Sequence, residues 1–190
     1  MAQVKKDEIR DNILASANKL FENKGYAAVT IAQIAAGANT APANVYVYFK
    51  SKFEIAYFIC TPWLEAEILK LEVDALAISD PTERLYRILE CLWYDIPTKR
   101  NGFARVLIQA VSSATEKEGY SPRMFQSIES RITKIIKSCL SEKRQKENNW
   151  DKVSKVFLMA FDGFVINWHL QPEFIDEGII RAVVRLLQDE

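Results

Sequence analysis

Asn44, Tyr46, Tyr48, Lys50 and Lys52 crowd into a short stretch of the chain. Amide, phenol and ammonium groups at that density suit hydrogen bonding to base edges and phosphate oxygens. Asn44 has the donor and acceptor needed for bidentate pairing with adenine, and Tyr46 and Tyr48 offer hydroxyls to phosphate. Lys52 brings charge to a helix start that already favours an anion. Thr30 presents a hydroxyl to the same backbone, and Lys5 with Lys6 offers an N-terminal arm to the minor groove. Catalytic chemistry has less to stand on: no nucleophile–base pair, metal constellation or glycine-rich phosphate loop is visible, and His169 is the lone histidine. No enzyme activity, metal or cofactor is expected. A helical enzyme or small-molecule carrier that merely retains such a segment is the alternative.

Composition sets few limits on this reading. The chain has 190 residues, 49% of them apolar and 26% charged, which is the usage of a globular domain with a real core. Lys plus Arg equals Asp plus Glu at 25 each, so any nucleic-acid contact must come from a local patch. Cys60, Cys91 and Cys139 are odd in number and far apart, which argues against a disulfide framework and for a reducing, cytoplasmic setting. No apolar run approaches the ~20 residues of a membrane span, and the N-terminus lacks the pattern of a secretion signal.

The elements that position these residues follow from periodicity and capping. Ile9, Ile13, Ala17, Leu20 and Phe21 recur at helical spacing, predicting a first helix over 7–24 that Gly25 ends. Thr30-Ile-Ala-Gln33 has the capping-box pattern, so a second helix should run from Thr30 to Gly37. Asn39 stands where the chain must turn, and Asn tolerates the left-handed conformation. Pro42 suits the first turn of a third helix, over about 41–48, too short to stand without the first two. Ser51-Lys-Phe-Glu54 is a second capping box, opening a fourth helix that Pro62 should kink or split. Further helices are expected from Asp80 to about Asp95, over 103–114, from Ser121-Pro122 to Leu140, over 150–171 and over 176–188. No stretch alternates as a strand would. The class is all-α.

Two short helices joined by a tight turn and buttressed by a third make a helix-turn-helix. Such a unit also occurs in ordinary bundles, where the tyrosines would be packing and the lysines a solvated face. ILASANKLF, then GY, then TIAQIAAGANTAPANVYVYFKSK resembles, without a gap over residues 13–55, the DNA-binding signature of the tetracycline-repressor (TetR) family. That resemblance implies a dimeric transcriptional regulator, most often a repressor of an inverted-repeat operator, with an N-terminal DNA-binding domain over 1–50 and a helical effector-binding and dimerisation domain over 51–190. It implies Thr30, Tyr46 and Lys52 as phosphate contacts and Pro42 to Asn44 as the base-reading surface. The full expected DNA-binding set is Thr30, Gln33, Ala41, Pro42, Ala43, Asn44, Tyr46, Tyr48 and Lys52. Departures from the family pattern are Asn39 and Ala43 for glycine, Thr40 for valine, Ala41 for a serine cap and Phe53 for glutamate. Without the serine cap, worth about 1 kcal/mol, the third helix starts well only if Thr40 takes its place.

Beyond residue 55 only the helical plan is shared. The helix over 150–171 is apolar on more faces than one neighbour covers, so a second subunit is the expected partner. Trp63, Trp93, Phe103, Phe161, Asn167 and Trp168 are the candidates for an effector pocket, whose ligand would be largely apolar, although rings at helical spacing are usually core. Asp162 lies inside that apolar helix. It either faces solvent, pairs with Arg105 or Arg131, or receives a cationic effector.

Overall fold

The computed structural model describes residues 2–99, 102–115, 123–146, 149–171 and 177–188. All regular structure among them is helical: α1 Ala2–Ala28, α2 Ile31–Gly37, α3 Pro42–Tyr48, α4 Lys52–Leu76, α5 Pro81–Glu90, a π-helical turn Cys91–Asp95, α6 Phe103–Ser113, α7 Arg123–Lys137, α8 Glu142–Gln145, α9 Trp150–Leu170 and α10 Glu177–Gln188. None is long and apolar enough to cross a membrane. The contacts divide the chain into two units, Met1–Trp63 with Arg100–Ser121, and Leu64–Lys99 with Pro122–Glu190.

In the first unit α1 carries Ile13, Ala17 and Phe21 into the core, as the periodicity requires. Gly25 breaks the helical path at φ 73°, a left-handed value that lets Tyr26 turn back to pack beside Phe21. α2, α3 and α6 all pack against α1. The first helix differs from expectation at its start. Helix extends back to Ala2, so Lys6 lies within α1 rather than on an extended arm. Good helix formers at 5–10 carry no signal that would stop it earlier.

The second unit is held by long amphipathic faces. α7 buries Ile128, Ile132, Ile135 and Ile136, α9 buries Phe157, Phe161 and Val165, and α10 buries Ile180 and Val184 against α5. Asp80 caps α5 by accepting from the Glu83 amide at 2.8 Å, as its sequence predicts. α4 is one helix with Pro62 inside it, not two. The expected start of α7 at Ser121-Pro122, and Asp176 before α10, fall outside the described residues. The charged run after α7 includes the short helix α8, capped by Ser141.

Candidate functional site

The turn between α2 and α3 is fixed by local chemistry. Thr30 Oγ1 accepts from the Gln33 amide at 3.2 Å while Gln33 Oε1 accepts from the Thr30 amide at 3.0 Å, completing the capping box. Asn39 takes the left-handed conformation at φ 52°. Gly37 lets α2 approach α1 closely: a Cβ there would sit 2.3 Å from Ser16 Oγ. That hydroxyl donates to the Ile34 carbonyl at 2.8 Å and ties α1 to α2.

α3 starts without a side-chain cap, since Ala41 offers none. Thr40 does not substitute. Its Oγ1 instead accepts from Asn44 Nδ2 at 3.1 Å, which orients the Asn44 amide. Val45 is the one buried residue of α3, so the rest of the helix faces outward. Ala41, Pro42, Ala43 and Asn44 are exposed, Tyr46 is 58% exposed, and Tyr48 is half-buried. Val47, 71% exposed, sits one turn beyond Ala43 on the same outer face. Sequence reading missed it. The sign was available, because Val45 and Val47 cannot both point inward from a seven-residue helix.

Lys52 is the main departure. Its ammonium donates to the Tyr26 and Val29 carbonyls at 2.9 Å each and lies 4.2 Å from the Tyr26 ring centroid, and its burial lowers its pKa. It joins the start of α4 to the chain between α1 and α2. The second capping box also closes differently, with Ser51 Oγ accepting from the Glu54 amide while the Glu54 carboxylate takes the Lys50 amide. Arg10 stacks over the rings of Phe49 and Phe58.

The six residues expected to form an effector pocket do not gather around one space. Trp63 packs edge-on against Phe103 in the first unit. Trp93 is buried, stacked on Phe164 and donating Nε1 to the Phe157 carbonyl at 3.1 Å. Trp168 meets Tyr94 edge-on, and Asn167 donates to the Gly163 carbonyl at 2.9 Å. Rings that satisfy each other leave no cavity, which is the ordinary fate of aromatics in a core. Of the six, Phe161 alone lines an apolar cavity of the second unit, about 230 Å³ in volume. Its walls are Leu64 and Ile68 of α4, Leu92 and Ile96 around the π-helical turn, Phe125 and Ile128 of α7, and Leu158, Met159 and Phe161 of α9. Glu129, Lys155 and Asp162 stand at its rim. Lys155 pairs with Glu129 at 3.6 Å. Asp162 is exposed, the first of its expected alternatives, and has neither a hydrogen bond nor an ion pair among the described residues; partial desolvation by its neighbours still raises its carboxyl above the usual range. Arg131, one of its expected partners, is held by Glu72 at 2.7 Å.

A helix-turn-helix with its second helix bared, followed by a larger helical body, defines a DNA-binding regulator. Residues 13–56 match the family described as bacterial regulatory proteins, tetR family. The negative transcriptional regulator of the biofilm operon in Staphylococcus aureus, IcaR, is 25% identical over 186 residues, covering 96% of this chain and 94% of that protein. Among solved structures, the regulator FadR from Bacillus subtilis in complex with stearoyl-CoA superposes with a TM-score of 0.64 at 20% identity, covering 94% of this chain and 97% of the other. PfmR, a TetR family transcriptional regulator from Thermus thermophilus, gives 0.59 at 23% identity and 95% coverage of both. Residues 13–56 thus carry the DNA-binding segment of the TetR family, and along nearly its whole length the chain is similar to a transcriptional regulator.

Proposed function

We propose that the chain acts as a homodimeric repressor that holds an inverted-repeat operator through residues 1–50 and is released by a small, largely apolar effector taken up within residues 51–190. The observation that carries the reading is the bare outer face of α3, which buries only Val45 on its inner side and carries an Asn44 amide already oriented by Thr40. Asn44 reads a base edge, Ala43 and Val47 offer apolar contact to thymine methyls, and Thr30, Tyr46 and Tyr48 bind phosphate. Gln33 and Lys52 act one step back, by fixing the helices that present those groups. Repression is favoured by the similarity to IcaR, itself a negative regulator.

Dimerisation is assigned to α9. Val156, Met159, Ile166 and Leu170 are exposed along one stripe with Gly163 between them, at the three- and four-residue spacing of a helix-packing seam. Two heads so joined would engage major grooves about 34 Å apart on one face of the duplex. Release is then a population shift: an effector that fits one arrangement of α4, α7 and α9 better than the other changes the separation of the heads. α4 supplies both Lys52, at its start, and the cavity residues Leu64 and Ile68, which makes it the natural lever.

Capture of short duplexes from a random pool at about 0.15 M salt, where purely electrostatic binding is weak, tests this reading. Recovery of an inverted repeat is expected. Failure of folded dimer to recover any sequence would refute it.

A further inference from the structure

We propose that the cavity of the second unit takes a compact apolar molecule bearing one protonated amine, and that Asp162 receives the amine. This rests on the reading of the chain as effector-responsive and adds the chemistry of the effector. Apart from Glu129, Lys155 and Asp162 the lining is apolar, from Leu64, Leu92 and Ile96 to Phe161. At the rim two carboxylates face one cation, and that cation, Lys155, is already paired with Glu129.

Asp162 lies two turns further along α9, about 10 Å from Lys155 by helix rise, without an ion pair among the described residues. An entering ammonium would gain a charge-assisted hydrogen bond there, at the exposed mouth of the cavity, while its apolar body is covered by the walls. An anionic head would meet an excess of negative charge instead. The volume, about 230 Å³, falls below the roughly 300–1,000 Å³ of drug-sized pockets, so the ligand body should be a single ring system or a short chain. Although Asp162 is exposed, partial desolvation raises its carboxyl, a cost that an incoming cation relieves. Met159 belongs both to the cavity wall and to the exposed stripe of α9, at 69% exposure, so an occupant presses on the proposed subunit seam directly.

The test uses the full chain and three probes sharing one apolar body: 4-phenylbutylamine, 4-phenylbutanol and 4-phenylbutyrate, titrated calorimetrically at about pH 7.5, where the amine is protonated and the acid ionised. The amine should bind about tenfold tighter than the alcohol, and the carboxylate least. Asp162→Asn, nearly isosteric, should bring amine and alcohol within about twofold of each other while leaving the alcohol unchanged. Equal binding of amine and alcohol, a preference for the carboxylate or for stearoyl-CoA, or a preference that survives Asp162→Asn each overturns the proposal. If all three probes bind alike and Leu158→Trp, which fills the cavity, excludes them, the effector reading stands and only the amine fails. If none binds and none releases the selected operator, both fail.

Discussion

The DNA-binding head and the helical body hold themselves together by different means. In the head, helices of seven residues bury little, and polar ties do much of the positioning: Ser16 to Ile34, the Thr30–Gln33 box, Lys52 to Tyr26 and Val29. In the body, α7, α9 and α10 are longer and pack through continuous apolar faces, with ion pairs such as Arg131–Glu72 at the surface. Each polar tie depends on a particular residue at a particular place. An apolar face needs only the right period. The head is therefore geometrically exacting and tolerant of little change, whereas the body can exchange one apolar side chain for another and alter its cavity.

The largest effect that would sharpen this contrast is expected at Lys52. Lys52→Met removes a charged donor from two carbonyls and should destabilise the first unit by about 3 kcal/mol, with operator binding lost in parallel. A calorimetric melt in which only the transition assigned to the body is shifted would break the comparison. Asn44→Ala should cost about 2 kcal/mol of operator affinity and relax selection at one base position, with thermal stability changed by less than about 0.5 kcal/mol. Uniform loss across all sequences would instead make Asn44 a phosphate contact. Gly37→Ala should cost about 1 kcal/mol, because the new methyl displaces Ser16 Oγ. In a Ser16→Ala background the same change should be neutral or better, and simple additivity in that cycle would remove the close approach as the cause. The smallest effect belongs to the cysteines. Burial drives the Cys60 and Cys91 thiols up to about 12, so both stay protonated at about pH 8 and should resist iodoacetamide until the protein unfolds.

The same contrast explains what was legible in the sequence. Capping boxes, Asn39 in the left-handed turn and Pro42 at a helix start are local signals, and α2 and α3 begin and end close to where those signals put them. The partners of Lys52 and Asn44 were not legible. Reaching Tyr26 from Lys52 spans 26 residues of sequence, and Thr40 is equally able to cap a helix or to hold Asn44 until the backbone decides. Nor does sequence show that α6 lies along α1. In the body the periods of α7, α9 and α10 were readable, but the cavity was not. Trp93 reads in sequence like a pocket wall, yet it fills space against Phe157 and Phe164. The real lining is mostly aliphatic, and aliphatic residues at helical spacing carry no sign of whether the space between them is filled.

The central claim is that two copies of α3, held at fixed separation by the bodies, read successive major grooves. Its most direct measurement is operator affinity as the half-sites of the selected inverted repeat are moved apart. Inserting about five base pairs turns one half-site to the opposite face of the duplex, and insertion of about ten returns it to the same face one turn further on. Affinity should fall by about a hundredfold at about five, the loss of one well-read half-site at roughly 1.4 kcal/mol per tenfold. Binding unchanged by the shorter insertion would contradict the account.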